Sequence, residues 1–321
     1  MKRDRTEKQS KMKVAIIDLG TNTFNILFAD IQKGQPTDYL LKTKSAVMLG
    51  KEGLMTGNLT DKAFARSFAV LRDYSSLIKD YGCEKVFAFG TSAIRSANNS
   101  AHLIEKANRD LGIQITPISG EQETQYVFNA MLRAVPLQGD SNYMMVDLGG
   151  GNNEVIIGRE DKILWSDSYE LGSARLLEIF KPSDPISSGE IASIYHYLEE
   201  KMTGFDDALR KYPVTRLIGS AGAFDSFAEM IHHKKTQRPL PLNSKYSNFT
   251  ADDFNGIYKT ITTTTRDKRA LILGLEPLRQ DTIVMSSTFV KYLLDKTQVT
   301  NITQSSYALT EGVAIQLENT L

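Results

Sequence analysis

The chain has a single cysteine, Cys83, among 321 residues. That excludes an intramolecular disulfide and a multi-cysteine metal site, and it fits a reducing compartment. It has no excess of charge of either sign, because 38 lysines and arginines balance 38 aspartates and glutamates. No global positive field therefore gathers nucleic acid or an anionic membrane, and any anion must be bound by a local site. No run approaches the roughly 18 consecutive apolar residues of a spanning helix. The N-terminus, Met1 to Lys13, is charged and lacks the apolar stretch of a signal peptide, so a cytoplasmic location is expected. A G-x-x-x-x-G-K-[ST] phosphate loop is also missing, which argues against a P-loop NTPase.

What is present is ordinary for a folded domain: 41% hydrophobic and 24% charged residues. The length suggests two domains of about 150 residues each, preceded by a flexible tail over residues 1–11. Val14 to Asp18 is a short apolar run ended by a carboxylate, Leu19 to Thr23 supplies turn residues, and Phe24 to Ile31 resumes a strand-like pattern, which together read as a hairpin. A third strand over Tyr39–Leu49, a helix over Thr60–Tyr81, a strand at Lys85–Gly90, a helix at Ala101–Leu111, a strand at Ile113–Ile118 and a helix at Glu121–Val135 complete one α/β unit.

The pattern then restarts. Tyr143 to Asp147 is again an apolar strand ended by aspartate, followed by Leu148–Asn153 and a strand at Glu154–Gly158. Ile17-Asp18-Leu19-Gly20-Thr21-Asn22-Thr23 matches Val146-Asp147-Leu148-Gly149-Gly150-Gly151-Asn152, an internal repeat that marks a duplication. The second copy continues with a strand at Lys162–Leu171, helices over Ile191–Leu209 and Ala223–His233, a strand at Val214–Ile218, a helical region around Ala251–Leu273 and a late strand near Asn301–Leu309. A last helix, Leu309–Leu317, is expected to close back on the first domain. The threonine tract Thr262–Thr265 and the loop with Pro239 and Pro241 read as local loop or helix-edge chemistry.

Glycine-rich turns between antiparallel strands leave successive backbone N–H groups free to converge on an anion, since glycine adopts positive φ cheaply and lets a ligand approach the main chain. Thr21, Asn22, Thr23, Asn152 and Asn153 add uncharged donors. Either hairpin alone is commonly just a tight turn; an aspartate ending the first strand in both copies is what a tight turn does not require. If the copies face each other, the turns grip phosphates from two sides, and Asp18 and Asp147 are placed to hold Mg²⁺ directly or through water. Thr91, Ser92 and Arg95 begin the segment after a strand, where hydroxyls and a guanidinium suit phosphate or, equally, a helix cap. Glu121 and Glu123 follow Ser119-Gly120 at the next strand-to-helix junction, where capping is the simpler account of either one. His102, His196, His232 and His233 read as surface or packing residues, Cys83 as an inert thiol and Trp165 as a packing anchor.

Taken with Gly90-Thr91-Ser92-Ala93-Ile94-Arg95-Ser96-Ala97-Asn98-Asn99, Ser119-Gly120-Glu121-Gln122-Glu123, Leu171-Gly172-Ser173-Ala174-Arg175-Leu176, Gly219–Ala223 and Arg279 with Asp281, the two hairpins resemble the exopolyphosphatase and guanosine pentaphosphate phosphohydrolase (Ppx/GppA) family over nearly the whole chain. The resemblance implies an α/β fold of two actin-like, ribonuclease H-like domains with an interdomain cleft: residues 12–128 plus 308–321 as one domain and residues 129–307 as the other. It implies Mg²⁺ and water-mediated release of terminal phosphate from polyphosphate or a guanosine alarmone. By position, Glu121 matches the family's catalytic glutamate and Glu154 a second acid for activating water. Asp147 matches a metal-associated carboxylate, and Asp18, at the equivalent strand end, is expected to hold the metal with it. Arg95 matches a phosphate-contacting arginine, and the reading of the turns adds Gly20, Thr21, Asn22, Thr23, Ser92, Gly149, Gly150, Gly151 and Asn152 as expected phosphate contacts. A homodimer is compatible with this reading.

The chain departs from the family pattern at Thr21 and Thr23, where serines are usual, and at Asn152 and Asn153, which replace a serine and a threonine. Ala221 and Ala223 stand for a usual glycine and threonine. The amides still donate hydrogen bonds but are bulkier. An ATP-dependent kinase of the same superfold and a catalytically silent polyphosphate or alarmone binder remain alternatives.

Overall fold

The first strand, β1 (Met12–Leu19), is buried on both faces. Ala15, Ile17 and Leu19 enter one apolar cluster, and Val14 and Ile16 another. Burial on both sides is why this segment reads as a continuous apolar run rather than an alternating one. The structure is a computed structural model that describes residues 11–320 except Glu52, Leu54, Met55 and Gln138. The tail expected over residues 1–11 lies outside the described residues, apart from Lys11.

After β1 come β2 (Thr23–Ile31), β3 (Asp38–Ala46), α1 (Asp61–Asp80), β4 (Lys85–Gly90), α2 (Ser92–Ser96), α3 (Ser100–Leu111), β5 (Ile115–Pro117) and α4 (Gly120–Ala134). The second series is β6 (Tyr143–Leu148), β7 (Asn153–Arg159), β8 (Lys162–Tyr169), α5 (Ser173–Phe180), α6 (Ser188–Lys201), α7 (Phe205–Lys211), β9 (Arg216–Ser220), α8 (Ala221–Thr236), β10 (Tyr246–Thr250), α9 (Ala251–Thr263) and α10 (Arg266–Arg269). A 3₁₀ turn at Pro277–Arg279, α11 (Ile283–Thr297), β11 (Asn301–Ser305) and α12 (Leu309–Thr320) complete the chain.

The two sheets repeat one order. The first runs β3-β2-β1-β4-β5 and the second β8-β7-β6-β9-β11, with β10 added beyond β11. In each, the first three strands form an antiparallel meander, and the inner strand then pairs in parallel with the strand after the crossover. This is the duplicated α/β arrangement expected from the repeat. A third apolar cluster joins the halves: Val14, Ile16 and Leu27 of the first sheet, Met145, Ile156 and Ile218 of the second, Tyr126 and Met131 of α4, and Val313 and Ala314 of α12. Helix α12 returns to pack on α4, β1 and β2. It approaches so closely at Gly312 that an added Cβ would strike the Tyr126 main-chain carbonyl.

Several expectations need correction. The single helical stretch over Ile191–Leu209 is two helices, broken at Gly204, which has φ +79°. The helical region around Ala251–Leu273 ends as a regular helix at Thr263. There, Thr262, Thr263 and Thr264 hydroxyls donate to carbonyls four residues back, a helix-edge role as expected. Helix α11 was not foreseen: Ile283 through Val290 are all buried although Ser286, Ser287 and Thr288 are polar, so the apolar periodicity of a buried helix is broken in the sequence. Among the described residues, no helix is long and apolar enough to cross a membrane.

Candidate active site

The duplication brings the two turns into contact. A Cβ on Gly150 would lie 2.8 Å from Asn22 Cγ, and one on Gly151 would lie 2.8 Å from both Thr21 Oγ1 and Ser92 Cβ. Glycine is required at these positions by close approach. None of the glycines in either turn has positive φ, which corrects the expectation that conformational freedom explains them.

Hydrogen bonds behind each turn set its polarity. Asn22 O accepts from Val47 N at 3.0 Å and Met48 N at 2.8 Å, and Thr21 O accepts from Gly50 N at 3.1 Å. In the second turn the carbonyls of Gly149, Gly150 and Gly151 accept from the N–H groups of residues 172–175 at the start of α5, at 2.9–3.2 Å. Since a trans peptide points its N–H opposite to its C=O, tying these carbonyls back turns the N–H groups of Asn22, Gly150, Gly151 and Asn152 the other way. Side-chain and main-chain donors of both turns thus line one cleft, a cavity of ≈ 400 Å³.

Acidic side chains form its floor. Asp18 and Asp147 stand at equivalent ends of β1 and β6. Asp18 pairs across the hairpin with Asn25, whose Nδ2 donates to Asp18 Oδ2 at 2.9 Å. Asp147 pairs with Glu154 and accepts from the Ser220 hydroxyl. Burial, with some help from Asp147, pushes Asp18 up to about 7; burial likewise pushes Asp147 up to about 6. Glu123, only 8% exposed, is pushed up to about 7 by burial against the opposing pull of the Arg95 guanidinium, whose Nη1 lies 3.1 Å away. Asp225 on α8 is also raised by burial. Several carboxylates crowded in one buried cleft carry an unfavourable anionic charge that a bound cation would offset.

Cationic groups lie along the other wall. Lys42 and Lys44 project from the same face of β3. Lys42 pairs with Glu311 at 2.5 Å and Lys44 with Glu276 at 2.9 Å. Arg279 is buried, bonds Glu276 at 3.0 Å and packs over Gly222, where a Cβ would collide with its guanidinium.

Of the residues singled out from sequence, Asp18, Gly20, Thr21, Asn22, Thr23, Ser92, Asp147, Gly149, Gly150, Gly151 and Asn152 line this cleft. Three do not. Glu121 is exposed in the first turn of α4. It is two residues, or about 200° of helix, away from Glu123, so the two cannot face the same side. The structure thus corrects the placement: Glu123 lines the cleft and Glu121 faces solvent. Arg95 also lies outside the lining; its Nη1 donates to Ile118 O at 2.7 Å and to Glu123, so it holds Glu123 rather than opening toward a ligand. Glu154 is 1% exposed and sits behind the lining, accepting from Ser168 Oγ at 2.8 Å. Burial, reinforced by Glu123 and Asp147, pushes it well above the usual carboxylate range.

Lys42, Lys44, Asn25 and Asp225 were not anticipated. The i, i+2 spacing of the lysines on a strand was the available signal. The sequence gives no comparable signal for Asp225, which reaches the cleft only because α8 starts beside Asp147. Ala221, the first residue of α8 and part of the lining, holds φ +67° where a non-glycine residue is strained.

The chain is 26% identical to Exopolyphosphatase 2 of Mycobacterium tuberculosis, over 95% of this chain and 98% of that protein. It is 25% identical to Exopolyphosphatase 1 of Mycobacterium bovis over 60% of this chain, and spans little more than half, 55%, of that relative's length. The crystal structure of an exopolyphosphatase from Cytophaga hutchinsonii is similar with a TM-score of 0.92 at 32% identity, covering 97% of this chain and 99% of that one. The Aquifex aeolicus PPX-GPPA enzyme is similar with a TM-score of 0.76 at 25% identity, covering 95% and 99%. The family model of the Ppx/GppA phosphatase family matches residues 27–321, and the chain belongs to that family.

Proposed function

We propose that this chain is a Mg²⁺-dependent exopolyphosphatase that releases terminal phosphate from inorganic polyphosphate by attack of water. The observation that carries the reading is the meeting of the two glycine turns over a floor of buried carboxylates. Its support from relatives is that named exopolyphosphatases are similar to it in sequence and structure.

Terminal phosphate is held by N–H groups of the two turns and by the hydroxyls of Thr21 and Thr23. These donors stabilise charge that grows on the equatorial oxygens as the phosphoryl is transferred. Lys42, Lys44 and Arg279 neutralise the following phosphates of the chain. Glu123 accepts a proton from the attacking water; the new P–O bond forms as the bridging P–O bond breaks, and the shortened polyphosphate leaves as the anion. A carboxylic acid near neutrality is suited to this general-base role.

Among the described residues no three His, Cys, Asp or Glu side chains are grouped to hold a metal by themselves. That donor set still fits Mg²⁺, which commonly takes one or two carboxylates and completes its shell with water and substrate phosphate. Asp147 and Asp18 would hold it, and it would supply charge neutralisation to the phosphate oxygens. The lining of hydroxyl, amide, glycine and charged side chains, with no aromatic ring among the described lining residues, favours a bare oligophosphate over a guanosine nucleotide that gains from base stacking.

The test is orthophosphate release from long polyphosphate, short polyphosphate and guanosine pentaphosphate, each with Mg²⁺ and with chelator. Release from polyphosphate only in the presence of the cation is expected. Tight binding without turnover under any divalent cation would replace this reading with that of a silent binder, and phosphorylation of an acceptor from ATP would replace it with a kinase.

A further inference from the structure

The contact between the two turns continues as an unbroken run of hydrogen bonds to the most buried acid near the cleft. Ser92 Oγ donates to Asn152 Oδ1 at 2.8 Å, from the first half of the chain to the second. Asn152 Nδ2 donates to Ser168 Oγ at 3.0 Å, and Ser168 Oγ donates to Glu154 Oε1 at 2.8 Å. Each hydroxyl has one hydrogen to give, so the run has a single direction and ends on the carboxylate. Turning the amide over would ask the one Ser168 hydrogen to serve both Asn152 Oδ1 and Glu154 Oε1, so the orientation as placed is the one that leaves that hydrogen to Glu154.

Both ends of the run are anchored. Ser92 is fixed in α2, where Arg95 N donates to Thr91 O and Ser96 Oγ donates to Ser92 O, both at 2.8 Å. Ser168 is pressed against the start of α4: a Cβ on Gly120 would lie 3.0 Å from both Ser168 Cβ and Oγ. Ser168 therefore sits between the helix that carries Glu123 and the strand that carries Glu154, yet it does not line the cleft. Asn152 spans the gap because its acceptor and donor are separate atoms. A serine there has one oxygen to satisfy both neighbours.

We propose that Asn152 and Ser168 are positioning residues, a relay that couples the meeting of the two turns to the placement of Glu154 behind the cleft. Its consequence for rate rests on the hydrolase reading above, with Glu154 as the second acid acting beside Glu123; the relay itself does not. The experiment is a double-mutant cycle on Asn152→Ala and Ser168→Ala, reading kcat and KM for orthophosphate release from polyphosphate. Each single variant is expected to lower kcat about tenfold, the scale of one lost hydrogen bond, with KM within about twofold. The double variant is expected to fall no further than the weaker single one, because either change already severs the run. Additive losses, a rise in KM at unchanged kcat, or no loss in the Ser168 variant would overturn the proposal.

A second cycle, Ser92→Ala with Asn152→Ala, reads melting temperature without substrate. The combined shift is expected to be smaller than the sum of the two, and strict additivity would overturn the relay. If the unmodified protein released no phosphate, the hydrolase reading would fall and this thermal cycle alone would decide the relay. Should Asn152→Ala not fold, Ser92→Ala with Ser168→Ala interrogates the same run from its two ends.

Discussion

Replacing Glu123 by glutamine separates the two glutamates that sequence alone confuses. The amide keeps the size of the side chain and an acceptor for Arg95, whose Nη1 also retains Ile118 O at 2.7 Å. What disappears is the ability to take a proton at the cleft. General-base assistance is worth about 10²–10⁴ in rate, so kcat is expected to fall by that factor, equivalent to roughly 3–5 kcal/mol of barrier at 1.36 kcal/mol per decade. Stability should change by no more than about 1 kcal/mol, because losing the ion pair with Arg95 is offset by no longer burying a charge. Glu121→Gln is the internal control: exposed in the first helical turn, it interacts with the helix dipole for about 0.3–1 kcal/mol of stability and leaves kcat within about twofold. Initial rates of orthophosphate release over a range of polyphosphate concentrations, with thermal melts for both variants, provide the measurement. A Glu123→Gln enzyme that keeps more than about a tenth of kcat, or a Glu121→Gln enzyme that loses as much, would refute the assignment.

Three further outcomes are expected. The metal-free protein should melt at a higher temperature near pH 5 than at pH 7.5. Asp18 and Glu123 are pushed up to about 7 and Asp147 to about 6, so the folded state binds protons that the unfolded chain releases, and stability present at low pH is lost as pH rises through 6–7; a flat or rising profile would count against the buried carboxylate floor. Mg²⁺ added at pH 7.5 should raise the melting temperature by offsetting that charge, while chelator should abolish phosphate release; stability indifferent to the cation would remove it from the cleft. Ala221→Gly should stabilise the protein by about 1 kcal/mol, since it relieves the left-handed strain of an alanine at φ +67°, and denaturant unfolding will show the midpoint move up or, against this reasoning, down.

Much of the architecture was legible because the two hairpins carry their signals locally. An apolar strand ending in aspartate, a short polar turn and a second strand recur at Asp18 and Asp147, and a repeat needs no knowledge of distant contacts to be noticed. Helix α11 was hidden for the opposite reason: Ser286, Ser287 and Thr288 interrupt its apolar run yet are buried, so polarity and burial disagree from Ile283 to Val290. The break at Gly204 was missed because two consecutive helices share one apolar pattern across a single residue of positive φ.

At the cleft, the available chemistry is written in local sequence: donors in two turns, an acid closing each first strand, and glutamates after Ser119-Gly120. Which of these groups meet depends on how the elements pack. Whether Glu121 or Glu123 faces the cleft depends on the angle at which α4 docks between the sheets, and that is set by packing of Tyr126 and Met131 into the shared core. Arg95 is drawn to Glu123 and Ile118 by the same docking. The glycines of the second turn are required by Asn22, Thr21 and Ser92, residues far away in the chain. Local sequence encodes turn and strand propensity; contact across the cleft comes from how two duplicated sheets close on one another.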